Sequence, residues 1–229
     1  MRRVLWASIK TLAGGLPVLA IWGTMAYVKP AEGFLYPDGA RIVLVHVPCA
    51  WVACLMYLVA AGYAIVTFRH MQSGRTEGWT HADRGCATAM ELGLLFSLLT
   101  TVTGSIFSRL QWGAFWSWDP RQTSILVIMF LFAAYLVLRG AVPDRQMKAR
   151  LSSAYAILAV VPGLFLIWVL PRIVPTLHGE ANQAVIGGGL DAQYRLVLYA
   201  FALPGLVCVC LWLQQLRMRL MKLEDRHGA

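Results

Sequence analysis

Two histidines and one aromatic segment contain the residues best suited to chemistry in this chain. Residues 112–119 have the sequence WGAFWSWD, which places three indoles, one phenyl ring and one carboxylate in eight positions. His46 precedes this segment and His178 follows it. Neutral imidazole nitrogens bind metal ions, and a group of aromatic rings supports a planar apolar ligand. The pattern predicts a site for a planar metal complex, provided that the fold brings the three parts together.

Each part also has a purely structural interpretation. Tryptophans gather at both surfaces of a membrane in proteins of many functions, where they form an interfacial belt. A single histidine near a helix end commonly packs between helices as a hydrogen-bonded residue. The functional hypothesis therefore depends on where the spanning segments place the histidines and the aromatic rings.

The composition indicates a membrane protein. Of 229 residues, 59% are hydrophobic and 14% are charged, and the mean hydropathy is +0.62. A helix that rises about 1.5 Å per residue needs roughly 20 apolar residues to cross the hydrocarbon core. Six stretches meet or approach this length: Leu12–Val28, Ile42–Phe68, Thr88–Phe107, Thr123–Leu138, Leu151–Leu170 and Leu196–Leu213. We therefore predict an all-α integral membrane protein with six transmembrane helices in a single polytopic domain, residues 1–229.

The distribution of basic residues predicts the orientation of these helices. With six spans both termini share one side, and 14 of the 20 Lys and Arg residues fall there. Basic residues favour the cytoplasmic side, so we predict cytoplasmic N and C termini. The net charge of +9 is then explained by contact with anionic lipid, and no nucleic acid partner is needed. This orientation places His46, His178 and the tryptophan-rich segment together on the outer face.

Two connecting segments on that outer face have distinct compositions. Residues 109–124 form the tryptophan-rich segment between helices 3 and 4. Residues 171–195 form the outer loop between helices 5 and 6 and contain three consecutive glycines, Gly187 to Gly189. Glycine-rich loops are mobile, so we expect this loop to close over a surface.

Two further sets of residues have structural interpretations. The five cysteines lie in or beside apolar segments without a CxxC pair, as is typical of small core residues. Glu91 is the one carboxylate inside a predicted span, where an ionised side chain costs about 2.5–3.5 kcal/mol. A proton or ligand pathway is one interpretation of Glu91. A hydrogen bond to Ser or Thr on a neighbouring helix is the interpretation we favour.

Two imidazoles on opposite sides of a macrocycle that rests on indoles would satisfy a six-coordinate haem iron. His46 and His178 are the candidate axial ligands. The candidate aromatic and acidic contacts are Trp112, Phe115, Trp116, Trp118 and Asp119. Four of these five recur at helical spacing, but Trp118 does not and Pro120 interrupts a helix, so we expect irregular or short helical structure. Arg109, Arg121 and Arg172 are candidate partners for haem propionates, and interfacial anchoring is the alternative for each.

These residues carry a family resemblance. The stretch from Glu91-Leu92-Gly93 through Thr103-Gly104-Ser105 to the segment at residues 112–124 resembles the tryptophan-rich WWD domain of the haem-handling proteins of cytochrome c maturation. The segments around His46 and His178 resemble the two histidine-bearing segments that flank this domain in the CcmC family. The length also fits CcmC, because the relatives CcmF and CcsA have more helices.

The resemblance implies a fold, a cargo and partners. Members of the family hold haem b at the outer face of the cytoplasmic, or inner, membrane and load it onto the haem chaperone CcmE. The ABC transporter subunits CcmA and CcmB and the small membrane protein CcmD assist. By motif, His46 and His178 would be the axial ligands, with Trp112, Trp116, Trp118 and Asp119 beside the haem. Such a protein is a transfer and assembly factor, with no catalytic residues.

Other functions remain open at this stage. The segment Ser117-Trp118-Asp119-Pro120 is also similar to the CcsA version of the motif, so a CcsA-like cytochrome c synthase component is an alternative. A membrane b-type redox protein would need histidines at membrane depth, usually in more than one pair. A permease for another solute would need broken helices near the midplane, for which Pro162-Gly163 and Pro204-Gly205 are weak indications.

Overall fold

The computed structural model describes residues 2–31, 34–178 and 190–227, and within these ranges the regular structure is entirely helical. Short 3₁₀ or π-helical pieces extend four of the six spans. The main helices are α1 (Arg2–Trp22, continued by a π turn at Gly23–Tyr27), α2 (Val43–Gln72, preceded by a 3₁₀ turn at Pro37–Ile42), α3 (Thr76–Trp112), α4 (Pro120–Ala141), α5 (Arg145–Leu164, continued by a π turn at Phe165–Val169 and by Leu170–Ile173) and α6 (Leu203–His227, preceded by Ala192–Leu196 and a π turn at Val197–Ala202).

Six of these helical stretches are long and apolar enough to cross a membrane, which confirms the predicted fold class. The helices extend beyond the predicted apolar stretches, most clearly at α3, which continues to Trp112. Apolar length marks the hydrocarbon core, whereas a helix continues until its backbone is capped or broken. At the end of α3 this point is Gly113, whose φ of 83° is left-handed.

Aromatic side chains and small residues form the interior between α2, α3, α4 and α5. The rings of Tyr57 and Phe132 meet edge to face at 4.8 Å, and the Tyr57 hydroxyl donates to the carbonyl of Ala159 at 2.7 Å. Gly93 lies against Phe132, where an added Cβ would approach the ring to 2.2 Å. The four central helices therefore pack closely because large rings occupy space that glycine leaves open.

The outer pair of helices, α1 and α6, cross at a small residue. A Cβ on Gly205 would come within 2.9 Å of Leu16 and 3.0 Å of Pro17, so this glycine sets the approach of the two backbones. The outward side of α1 leaves Val18, Ile21 and Trp22 more than 60% exposed. A lipid environment accounts for these apolar side chains.

Ion pairs join neighbouring helices in the half of the bundle that carries the termini. Arg139 binds Asp83 through two contacts of 2.7 Å. Arg217 binds Glu91, with Nε 2.8 Å from Oε2 and Nη2 3.1 Å from Oε1. The sequence favoured a structural role for Glu91, and the ion pair agrees with that role. The predicted partner, a Ser or Thr hydroxyl, was wrong, because Glu91 binds the guanidinium of Arg217. The Glu91 side chain is only partly buried, and a guanidinium neutralises its charge, which a hydroxyl cannot do.

The cysteines are core residues, as the sequence indicated. All five thiols are free, and Cys49, Cys86 and Cys210 are buried.

The connections between α1 and α2, α3 and α4, and α5 and α6 meet at the opposite end of the bundle, which we call the distal end. Gln111 accepts from the amide of Leu35 at 2.9 Å, and Gln193 accepts from the amide of Lys29 at 3.1 Å. The predicted loop at 171–195 joins this end, but its glycine-rich part, 187–189, lies outside the described residues. The bundle thus gathers the candidate residues from distant parts of the chain.

Candidate functional site at the distal end

Both candidate histidines line one cavity at the distal end. This cavity has a volume of about 160 Å³ and includes Trp112 at the end of α3 and Arg121 at the start of α4. We call it the distal cavity. Its walls are mostly apolar, with side chains such as Ile125, Ile128, Leu166 and Ile167. His46, His178 and the first tryptophan of the aromatic segment therefore converge, so each of the three parts singled out in the sequence contributes to the wall.

The position of His46 in the first turn of α2 directs one specific nitrogen away from the neighbouring helix. Its Nδ1 lies 3.1 Å from the Thr100 carbonyl oxygen and 3.1 Å from the Thr103 hydroxyl. The Thr103 hydroxyl donates to carbonyls of its own helix, so both groups accept from His46. The proton is therefore on Nδ1, and Nε2 keeps a lone pair for a ligand.

Gly104 makes room for the His46 ring. A Cβ at this position of α3 would lie 2.8 Å from Cε1 and 3.2 Å from Nδ1 of His46. Any larger residue would displace the imidazole from its two acceptors. The glycine in the sequence Thr103-Gly104-Ser105 thus sets the depth at which His46 reaches into the cavity wall.

The second imidazole is oriented by a carboxylate. Nδ1 of His178 lies 3.2 Å from Oδ1 of Asp119, whose side chain is only 1% exposed. The other carboxylate oxygen accepts from the Leu177 amide at 2.6 Å. Because an ionised carboxylate only accepts, His178 carries its proton on Nδ1 and presents Nε2. Carboxylate-bound histidines of this kind are common metal ligands.

Asp119 also caps a helix. Its Oδ1 accepts from the backbone amide of Arg121 at 3.0 Å, with Pro120 as the first residue of α4. Burial opposes ionisation, but the amides of Leu177 and Arg121 stabilise the carboxylate and hold its pKa below the ordinary value. One side chain therefore begins α4 and fixes the segment that carries His178.

Burial also determines the charge of His178. Desolvation lowers the pKa of this imidazole and the charge of Arg121 lowers it further, while Asp119 acts in the opposite direction. The ring is therefore mostly neutral at pH 7, which is the form that binds a metal.

Residues 113–119, for which the sequence predicted irregular or short helical structure, are not helical. Gly113 ends α3, and Trp118 has φ 56°, a left-handed conformation unusual for a large residue. The buried amide of Gln122 holds the segment in place: its oxygen accepts from the Ser117 amide at 2.9 Å, and its nitrogen donates to Ser108 at 3.2 Å. The turn at Trp118 leads directly into Asp119.

The aromatic residues of this segment divide into two groups. Trp112 packs edge to face on His178, with ring centroids 5.0 Å apart, and on Phe107 at 5.6 Å. Phe115 and Trp118 are 59% and 69% exposed and do not line the distal cavity. Trp116 packs edge to face on Trp118 at 5.7 Å. The exposed rings therefore lie at the surface beside the cavity.

The three candidate arginines also occupy different environments. Arg121 lines the distal cavity, and its buried Nε has no hydrogen-bond partner among the residues that the structure describes. Arg109 is exposed, donates to the Gly113 carbonyl and lies 5.9 Å from the centre of the Phe115 ring. Arg172 donates to the Trp168 carbonyl and stacks on that indole. Of the three, Arg121 is the one placed to bind an anionic group inside the cavity.

Part of the cavity wall comes from an irregular stretch of the fifth span. Leu166 and Ile167 belong to the π turn at Phe165–Val169, and Pro171 follows it. A proline ring clashes with the carbonyl four residues earlier, and a wider turn relieves that clash.

Several site residues had no role assigned from the sequence. Thr100, Thr103 and Gly104 position His46, and Gln122 anchors the tryptophan-rich segment. The recurrence of Thr and Ser between residues 100 and 108 of an apolar helix was the pattern that could have indicated them. Intramembrane polar residues mark contacts between helices or functional sites.

Comparison with known proteins gives a consistent result. A family model described as Heme exporter protein C matches residues 3–229. A Heme exporter protein C of Bradyrhizobium diazoefficiens is 29% identical over 197 residues, covering 83% of this chain and 71% of the relative. A Heme exporter protein C of Escherichia coli K12 is 28% identical over 224 residues, covering 97% of this chain and 85% of the relative.

Plant mitochondria contain a further relative. A ccmC-like mitochondrial protein of cytochrome c biosynthesis from Marchantia polymorpha is 31% identical over 143 residues. The alignment covers 62% of this chain and 54% of that relative.

Proposed function

Because this chain belongs to the Heme exporter protein C family, we propose that it binds haem b through His46 and His178 and delivers it for cytochrome c maturation. The observation that carries the site assignment is the pair of imidazoles on one cavity. Each imidazole has its Nδ1 proton bound by an acceptor, so each offers Nε2. Two such nitrogens are the axial ligands of a six-coordinate haem.

The surface beside the distal cavity supports transfer of the haem over permanent storage. Phe115 and Trp118 are exposed there, and Trp116 packs on Trp118. An edge of the macrocycle would rest beside these rings, outside the cavity. A receiving protein needs access to an edge of the haem. The bonds from the two histidines can be replaced by ligands of that protein, and no covalent attachment to this chain has to be broken.

The residues of this chain bind, orient and release the haem, and no side chain is required as an acid or a base. Arg121 supplies charge for a propionate inside the cavity, where its Nε lacks a partner within the described ranges of the chain. Trp112 covers His178 and limits access of water to the axial bond. Asp119 holds the neutral imidazole in the orientation that binding needs.

The location and partners belong to the same proposal. The excess of Lys and Arg on the side of the termini supports a distal end that faces the outer side of the cytoplasmic membrane. There the receiver would be a CcmE-like haem chaperone. CcmA-like and CcmB-like transporter subunits and a CcmD-like small membrane protein would complete the assembly.

Absorption spectroscopy tests the site. The full-length protein is purified in detergent from haem-replete cells, beside His46→Ala, His178→Ala and the control His227→Ala, which alters an exposed residue at the end of α6. We expect a low-spin bis-histidine spectrum in the wild type and the control. Each cavity variant should lose that spectrum and most of its haem. Full low-spin spectra in both cavity variants would refute the proposed ligands.

A further inference from the structure

A second and larger cavity lies at the opposite end of the bundle, where the termini meet. It has a volume of about 940 Å³ and lies between the start of α1 and the last four turns of α6, with α3 closing one side. We call it the basal cavity. None of the residues discussed for haem binding lines it. The site at the distal end therefore does not account for it.

The charge of the basal cavity is strongly positive. Five basic side chains line it, and Asp225 is the only acidic residue among its described lining. Asp225 is shared by Arg84 and Arg145 at 2.7 and 2.8 Å. Arg219, Lys222 and Arg226 have no ion pair within the described part of the chain. Three cations about one turn apart on α6 thus face a common space whose one described carboxylate, Asp225, is already bound by Arg84 and Arg145.

A buried amide gives an independent indication of a ligand. Gln214 lines the basal cavity and is 5% exposed, and its Nε2 has no hydrogen-bond partner in the described part of the chain. An unsatisfied buried donor costs about 1–3 kcal/mol, a cost that a bound acceptor would remove. The neighbouring Gln215 accepts from Trp6 at 3.0 Å and from Arg219 at 3.1 Å when its amide is oriented to satisfy both donors. The wall is therefore held in place before any ligand arrives.

Apolar side chains form another part of the lining, between α1 and α6. Leu5, Trp6, Leu211 and Met218 contribute this surface, and Leu5 is 57% exposed. A hydrocarbon chain can lie here while a phosphate contacts the basic side chains. A soluble anion would use the charges but not the apolar wall.

We propose that the basal cavity binds one anionic phospholipid, with its phosphate against Arg219, Lys222 and Arg226 and its acyl chain beside Trp6 and Met218. Basic pockets between transmembrane helices commonly recognise anionic headgroups. The bound lipid would join α1, which otherwise packs mainly on α6, to the rest of the bundle.

Native mass spectrometry of the full-length protein tests this site. Delipidated protein is titrated with phosphatidylglycerol, with phosphatidylcholine of the same chain length, and with inorganic phosphate. The test variant is Arg219→Gln/Lys222→Gln/Arg226→Gln. The matched control is Arg69→Gln/Arg75→Gln/Arg150→Gln, which removes the same charge from exposed positions outside the cavity. Gel filtration establishes that both variants remain monodisperse.

We expect phosphatidylglycerol to bind more tightly than phosphatidylcholine. Each removed cation should weaken binding about fivefold, so the test variant should lose about 100-fold and the control little. Gln214→Leu, which keeps all charges, should lose about fivefold.

Equal affinity of the two triple variants for phosphatidylglycerol would overturn the proposal. Equal affinity of the wild type for the two lipids, or strong binding of inorganic phosphate without a lipid preference, would also overturn it. The haem spectrum is recorded on the same samples. Because the lipid titration needs no haem, the two proposals can fail independently.

Discussion

Oδ1 of Asp119 lies 3.2 Å from Nδ1 of His178 and 3.0 Å from the backbone amide of Arg121. A single carboxylate oxygen therefore joins the start of α4 to the histidine after the fifth span. This relationship explains why Asp-Pro follows the last tryptophan of the segment. The aspartate caps the helix, the proline begins it, and the remaining capacity of the carboxylate orients an axial ligand.

Asp119→Asn should weaken haem binding without unfolding the protein. Asparagine caps helices as well as aspartate does, so α4 should remain intact. The neutral amide is a weaker acceptor for the imidazole proton, and loss of such a partner typically costs about 10–100-fold in metal affinity. Haem titration followed at the Soret band measures this loss.

Asp144→Asn provides the control for this substitution. Asp144 caps α5 through the Met147 amide at 2.6 Å and lies outside the distal cavity. The control should bind haem as the wild type does. If the two variants bind haem equally, Asp119 has a capping role only.

Gly104→Ala should displace His46. The new Cβ would lie 2.8 Å from Cε1 of the ring, so the ring must move away from Thr100 and Thr103. We expect at least partial conversion from a low-spin to a high-spin spectrum and a fall in haem affinity of about tenfold or more. Absorption and magnetic circular dichroism spectra measure the conversion.

Gly62→Ala is the matched control, since it makes the same change inside α2 with no atom within 4 Å of the new Cβ. Alanine favours a helix over glycine by about 1 kcal/mol, so this control should be as stable as the wild type or more so. An unchanged spectrum in Gly104→Ala would contradict the proposed position of His46.

Two different physical signals in the sequence predicted the membrane fold and singled out the two histidines as candidate ligands. Apolar length marks each spanning helix, and a histidine such as His46 is conspicuous inside an apolar stretch. The alternation of spans then predicts which residues share a face. That His46 and His178 line the same cavity agrees with this prediction.

Which rings of the tryptophan-rich segment reach the distal cavity could not be predicted in the same way. It depends on backbone geometry: α3 continues to Trp112, and the left-handed Trp118 then turns the chain into Asp119. Sequence spacing gave Phe115 and Trp112 equal status, but only Trp112 reaches His178. Contact between the exposed rings and haem stays a prediction.

Arg121→Gln should lower haem retention more than Arg109→Gln does. Arg121 lines the distal cavity, and no described residue binds its Nε, whereas Arg109 is exposed and already donates to Gly113. A charge-assisted hydrogen bond to a propionate contributes about 1.5–3 kcal/mol, so affinity should fall by about 10- to 150-fold. Competition with apomyoglobin measures retention. Equal loss in both variants would indicate a general effect of surface charge.

The protonation of His178 should respond to Arg121 and Asp119 in opposite directions. Burial and Arg121 lower the pKa of His178, and Asp119 raises it. In the haem-free protein, Arg121→Gln should therefore shift the His178 titration to higher pH, and Asp119→Asn should shift it to lower pH. Carbethoxylation of neutral imidazole, followed by mass spectrometry of the His178 peptide across pH 4–8, measures both shifts.

The sign of the accompanying stability change follows from linkage. An unfolded histidine titrates near pH 6.5, and the folded pKa of His178 is lower. As pH falls through about 6.5, the unfolded chain binds a proton first, so the fold loses stability down to the folded pKa. Arg109→Gln, which removes an exposed charge, should leave the titration unchanged. A shift in the same direction for Arg121→Gln and Asp119→Asn would contradict the assigned electrostatics.

Breaking the ion pair between Asp83 and Arg139 should destabilise the protein. The side chains are 8% and 16% exposed and share two contacts of 2.7 Å. Asp83→Leu leaves Arg139 without its partner and should destabilise the protein by about 3–5 kcal/mol, whereas Asp83→Leu/Arg139→Leu should cost less. Thermal unfolding in detergent ranks the stabilities of the wild type and the two variants.

Asp38→Leu is the control, because it breaks a pair whose carboxylate is 74% exposed. It should change the free energy of unfolding by less than about 1 kcal/mol. If the double variant is less stable than Asp83→Leu, the unpaired guanidinium is not the source of the cost.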